Sequence, residues 1–211
     1  MAADPGGIWE GGVTIGPARA RLPTPPSRAY AMGMPVTIRW TRDQVLNLPA
    51  DGNRYELVDG ELIVSPAPAP RHQVVLGRLF EALSPYLRSN GLGVVLWSPA
   101  DLELEPGQVN QPDIFVLPSI AFERWEDAPL PMLVVEALSP STARYDRGLK
   151  RRFYQRAGVP EYWILDADGG VVERWRSNDA RPEVLDQELS WAPGDAPPLT
   201  IDLAKLFTGL S

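Results

Sequence analysis

The 211-residue chain contains no cysteine and a single histidine, His72. Those two shortages remove disulfides, thiolate metal centres and any multi-histidine zinc site from consideration. Long apolar runs are also missing, since no stretch approaches the roughly 18 residues needed to cross a bilayer. No Lys/Arg-led apolar segment resembling a signal peptide opens the sequence. Positive charge is scarce: 20 Lys and Arg stand against 27 Asp and Glu, for a net charge of −7. The basic footprint usual in nucleic-acid proteins is therefore absent from the average composition. What remains is the composition of an ordinary globular chain, 44% hydrophobic and 22% charged, long enough for one domain with a real core. The expectation is a cytoplasmic protein with no membrane contact. Any metal would be held mainly by oxygen, which favours Mg²⁺ or Mn²⁺.

Residues 1–35 are rich in Gly, Pro, Ala and Arg and show no apolar period. They read as a disordered leader, with Met1, Met32 and Met34 as alternative starts and residues 36–211 as a single domain. "WTRDQVLNLP" predicts a short helix capped by Thr41 and stopped by Pro49. In "RYELVDGELIVSP" two apolar-alternating runs flank Asp59-Gly60, the strongest short-range signal for a hairpin. Alternation puts Glu56, Val58, Glu61 and Ile63 on one face and Tyr55, Leu57, Leu62 and Val64 on the other. A helix follows with the stripe Val75, Leu76, Leu79, Phe80, Leu83 and Leu87; Pro85 should kink it or close its last turn. Strands are expected over 93–105, 110–118 and 132–139, then a helix from about 146 to 157 ending at Gly158. "EYWILD" and "VVERWR" should pair around Asp168-Gly169-Gly170. This alternation gives an α/β or α+β fold with one sheet.

Two residues break the apolar pattern. Glu136 sits within "MLVVEAL", and Asp113 opens the buried run "IFVL" directly after Pro112. Ionised groups enter a dry core only with a partner, because desolvation costs several kcal/mol. Acids on adjacent strands would repel unless a cation sits between them. On the next helix, positions 146, 149, 150, 153, 154 and 157 share a face, so Lys150 is the one cation that the apolar face carries inward. Lys150 could equally pair with Asp146 one turn earlier. Six cations against one anion between Arg144 and Arg156 suit either a solvated helix face or phosphate contact.

The segments "RYELVDGELIVSPAPAPRHQ", "QPDIFVL", "LVVEALSPST" and "DRGLKRRFYQRAGVPEYWILD" together resemble the Uma2 family, a DUF820-like group within the PD-(D/E)xK nuclease superfamily. The resemblance covers about residues 40 to 207. It implies a restriction-endonuclease-like mixed β-sheet core flanked by helices, with an N-terminal DG hairpin. It also implies a Mg²⁺- or Mn²⁺-dependent endonuclease acting on DNA. By that resemblance Asp113 and Glu136 are metal ligands, and Asp113, Glu136, Lys150 and His72 are catalytic. The lysine departs from the superfamily spacing: Leu138 stands two residues after Glu136, and Lys150 on the following helix takes the role. Gln73 beside His72, and Glu61 on the hairpin, are accessory candidates. Arg147 and Arg151 are candidate phosphate contacts. The resemblance also admits a homodimer.

Two other functions fit the same residues. One is a non-catalytic binding or regulatory protein that keeps the PD-(D/E)xK scaffold, since fold alone does not imply function. The other is an oxygen-ligated metal hydrolase acting on small phosphoesters. No helix-turn-helix, zinc finger or RNA-recognition motif supplies base readout.

Overall fold

The computed structural model describes residues 39–209. The expected leader, residues 1–35, lies outside the described residues, as do Met32 and Met34. Helix α1 (Arg42–Leu46) begins with the reciprocal box that Thr41 promised: its hydroxyl accepts from the Gln44 amide and the Gln44 side chain accepts from Thr41 N–H. Strands β1 (Arg54–Val58) and β2 (Glu61–Ser65) form the expected antiparallel hairpin. Both turn residues take positive φ, 53° at Asp59 and 80° at Gly60, which is why that dipeptide marks the turn.

Helix α2 (Pro70–Asn90) buries Val75, Leu76, Leu79, Leu83 and Leu87 and ends at Gly91 in the left-handed region. Pro85 lies inside it, and the helix continues past that residue to Asn90. Leu83 and Leu87 are both buried in the core on either side of the proline. Anchoring there holds the helix despite the lost hydrogen bond, so Pro85 neither ends the helix nor closes its last turn.

The sheet has six strands in sequence order: β3 (Val94–Trp97), β4 (Ile114–Leu117), β5 (Leu133–Ala137), β6 (Glu161–Asp166), β7 (Val171–Arg176) and β8 (Glu183–Leu185). Only β5 and β6 run parallel; the other neighbours are antiparallel. Parallel neighbours need a crossover. It is a continuous helical run of α3 (Ala143–Tyr145), a π-helical turn (Asp146–Lys150) and α4 (Arg151–Arg156). Gly158 follows with φ 85°. The strand expected over 93–105 shrinks to four residues. The chain leaves the sheet at Ser98-Pro99, where proline offers no N–H, and the segment beyond makes isolated bridges outside the sheet, Leu102 with Asn110 and Val109 with Leu57. Strands β9 (Glu188–Trp191) and β10 (Leu199–Asp202) pair separately, and helix α5 (Leu203–Phe207) follows.

Both faces of β4 and β5 are covered, which explains their unbroken apolar runs. Ile114, Val116, Leu133 and Val135 pack with α2 and the β9–β10 pair. Phe115, Val134, Phe153 and Tyr154 pack on the other side with Val58 and Ile63 of the hairpin. Glu136 shares the face of Val134, so it points towards the hairpin and the crossover helix. Among the described residues no helix is long and apolar enough to cross a membrane.

Candidate active site

Antiparallel register links β4 to β5 with Ile114 opposite Val135. One step further along the same register sets Asp113 opposite Glu136, where the ladder ends. The Asp113 side chain occupies that end: its Oδ2 accepts the Ala137 N–H at 2.9 Å. Nε2 of His72, in the first turn of α2, lies 3.0 Å from the same oxygen. Arg54 donates to Oδ1 at 2.7 Å. Burial alone would raise this carboxyl, but the His72 hydrogen bond, the Arg54 charge and the Ala137 N–H together hold it well below the usual carboxylate range. Asp113 is therefore ionised at neutral pH.

Glu136 is 1% exposed. Its Oε1 accepts from Lys150 Nζ at 3.0 Å and from the Tyr154 hydroxyl at 3.4 Å. Lys150 reaches it from the π-helical turn, a conformation frequent at functional sites. The same ammonium lies 2.7 Å from Glu56 Oε2 and 3.7 Å from Asp146 Oδ1. Burial would depress the Lys150 ammonium, but Glu136, Glu56 and Asp146 outweigh it and hold the charged form above its ordinary range. Glu136 moves the other way. Burial, reinforced by Asp113, Glu56 and Asp146, pushes its carboxyl well up despite Lys150. Asp146 is likewise pushed up to about 6, by burial first, with Lys150 restraining the rise.

Structure thus brings Asp113, Glu136, Lys150 and His72 together. Gln73 is exposed on the first turn of α2 and lines the adjoining cleft. Glu61 does not join them: it sits exposed beside the hairpin turn. Alternation placed it on the correct face, but the inward-facing acid is Glu56, further from the turn and fully buried. Arg147 lines the cleft but is engaged by Glu173 and Asp166, at 2.7 Å and 2.9 Å. Arg151 stands apart from the cleft; it bonds Gln155 at 2.8 Å and lies 4.6 Å over the Trp175 ring. Arg151 is therefore not among the residues that line the cleft, its guanidinium lying over the Trp175 ring instead.

Glu56 and Arg54 are the residues the sequence reading passed over. Glu56 Oε1 accepts the Gln111 N–H at 2.9 Å, tying the hairpin to the segment that precedes Asp113. Arg54 bridges Asp113 and the Gln111 carbonyl. A signal for both was present: they alternate with Val58 on one strand face, and that face carries Ile63 inward.

A cleft of about 1280 Å³ opens over Asp113, His72, Arg54 and Ala137. Small-ligand pockets run to roughly 300–1,000 Å³, so this cavity has room for part of a polymer. Glu136, Lys150 and Glu56 do not line it; they lie one layer behind Asp113. Ser139, Ser141 and Thr142, on the loop after β5, also line it.

Residues 42–204 match the model of the Uma2 family, described as "Putative restriction endonuclease". Among solved structures, the chain is similar to a protein described as "a putative nuclease belonging to DUF820 from Anabaena variabilis ATCC 29413". The TM-score is 0.61 at 21% identity, over 82% of this chain and 99% of that one. At that identity the likeness is one of fold. No curated protein matches the chain.

Proposed function

Because the chain belongs to the Uma2 family, we propose that it is a metal-dependent endonuclease hydrolysing phosphodiester bonds in DNA. The observation that carries this reading is the convergence of Asp113, Glu136 and Lys150 beside a cleft of about 1280 Å³ that Asp113 lines.

A divalent ion fits the charges present. Four acids, Glu56, Asp113, Glu136 and Asp146, crowd around two cations, Arg54 and Lys150, so negative charge exceeds positive charge here once Glu136 gives up its proton. Asp113 and Glu136 would hold the ion, and their all-oxygen chemistry suits Mg²⁺ or Mn²⁺. Among the described residues, no group of three or more His, Asp or Glu side chains is arranged to hold a metal. Waters and substrate oxygens would complete the shell, an arrangement magnesium favours. When bound, the ion would lower the pKa of a water and neutralise charge on the phosphoryl oxygens.

The chain's own groups divide the remaining work. Arg54 and His72 keep Asp113 ionised and oriented, ready to act as a ligand at neutral pH. Glu136 would shed its proton on meeting a cation, so affinity should rise with pH. Lys150, held protonated one layer behind Asp113, does not line the cleft and would lend its positive charge to the site from there.

A second reading is a non-catalytic binding or regulatory protein on the same scaffold. It is favoured by the enclosure of Lys150, which is fully buried and already bonded to Glu56 and Glu136. Titrating Mg²⁺ and Mn²⁺ into the parent and into Glu136→Gln, followed by plasmid and linear DNA, separates the two. The nuclease reading expects heat and strand cleavage from the parent and neither from the variant. A parent that binds metal weakly or not at all and leaves every DNA intact supports the non-catalytic protein.

A further inference from the structure

Among the exposed large apolar side chains of the described residues, Trp97 is the aromatic one, at 58% exposure. It ends β3, pairs in register with Ile114, and its neighbour Ser98 donates its N–H to the Asp113 carbonyl at 3.2 Å. The indole is held from one side by Phe80 of α2, edge to face, with centroids 4.8 Å apart and planes at 83°. Both rings line the cleft. Phe80 lies eight residues beyond His72 on α2, a rise of about 12 Å. A short length of strand reaching from the Asp113 end of the cleft spans that distance.

The charged groups of the cleft offer little to a duplex. Its three arginines are Arg54, Arg71 and Arg147, and each is already paired, with Asp113, Asp168 and Asp166 respectively. Duplex binding draws on phosphate neutralisation by free Lys and Arg. Among the described residues that line the cleft, every arginine is paired and no lysine is present, whereas an aromatic face is available. A flat ring recognises any nucleobase that is already unstacked, and such a base has no competing partner within a duplex.

We infer that Trp97 is a stacking platform for an unpaired base, so that the substrate is single-stranded or flapped DNA rather than intact duplex. This rests on the nuclease reading above for its substrate class. The test is fluorescence anisotropy with a short fluorescein-labelled oligothymidylate, in Ca²⁺ so that binding is read without turnover. Parent, Trp97→Ala and Trp97→Phe are compared, with a blunt duplex as second probe. The expected result is tighter binding of the single strand by the parent. Trp97→Ala should lose roughly 5- to 150-fold of that affinity, the range one stacked base supplies, and Trp97→Phe should keep most of it. Parental preference for duplex, no binding of the single strand, or an unchanged affinity in Trp97→Ala overturns the platform. The same oligonucleotide in Mg²⁺ separates the two ideas. Binding without cleavage sinks the nuclease reading and leaves the platform standing. Cleavage with no dependence on Trp97 does the reverse.

Discussion

The ammonium of Lys150 lies closer to Glu56, at 2.7 Å, than to Glu136, at 3.0 Å, although Glu56 is 94 residues away in sequence. The lysine thus anchors the hairpin to the crossover helix as well as facing the acid of β5. Its two roles predict different consequences of substitution.

Replacing Glu56 by Gln leaves one carbonyl oxygen where two carboxylate oxygens now serve Lys150 and the Gln111 N–H. One donor must lose its acceptor or meet the new amide hydrogens. The expected cost is about 1–3 kcal/mol, read as a lower urea midpoint with unchanged slope.

Lys150→Met removes the cation from among three acids and should cost more, roughly 3–5 kcal/mol near neutral pH. The loss should shrink at pH 5, where Asp146 and Glu136 take up protons. Turnover, if the proposed activity is present, should also fall, because the site loses the positive charge lent to it from behind Asp113. Equal destabilisation at both pH values would show that repulsion among the acids is not the cause.

Asp113 and Glu136 should answer oppositely to neutral substitution. Asp113 is held ionised by its partners, so Asp113→Asn strands Arg54 and His72 and should cost roughly 2–4 kcal/mol. Glu136 resists ionisation, so Glu136→Gln should be neutral or stabilising in metal-free protein. Denaturant curves in a chelator measure both, and a loss in Glu136→Gln as large as in Asp113→Asn would contradict the assignment.

Stability should also follow pH with a definite sign. The Asp146 carboxyl is raised from 3.8 to about 6, so its ionised form is penalised in the folded state. That penalty is complete above about 6 and vanishes as pH falls towards 3.8, and its full size is on the order of 3 kcal/mol. Asp113, with its pKa lowered, contributes stability that is present above 3.8 and lost on further acidification. Metal-free protein should therefore melt at its highest temperature between about pH 4 and pH 6. Asp146→Asn should flatten the rise between pH 7 and pH 5.

Divalent metal should reverse part of that trend. A cation held by Asp113 and Glu136 competes with protons, so Mg²⁺ or Mn²⁺ should raise the melting temperature more at pH 8 than at pH 6. Glu136→Gln should abolish the increment, and a metal-dependent rise that survives in that variant would place the ion elsewhere.

Much of this architecture was present in local chemistry. The Asp59-Gly60 turn, the Thr41 cap, the α2 stripe and Gly158 after the crossover helix each follow from what one or two residues do to the nearby backbone. Glu136 and Asp113 were legible because charge inside an apolar strand has few explanations. Lys150 was legible because helical spacing put it on the buried face. The partners were not. Glu56 and Glu61 alternate alike on one hairpin face, and only the packing of the hairpin against the crossover helix decides which acid meets the lysine. The early end of β3 had a local signal too, since Pro99 cannot donate to a ladder, although the alternation of residues 100–105 reads as a continuing strand. Periodicity reports which way a side chain faces; what it faces depends on long-range packing that no local pattern contains.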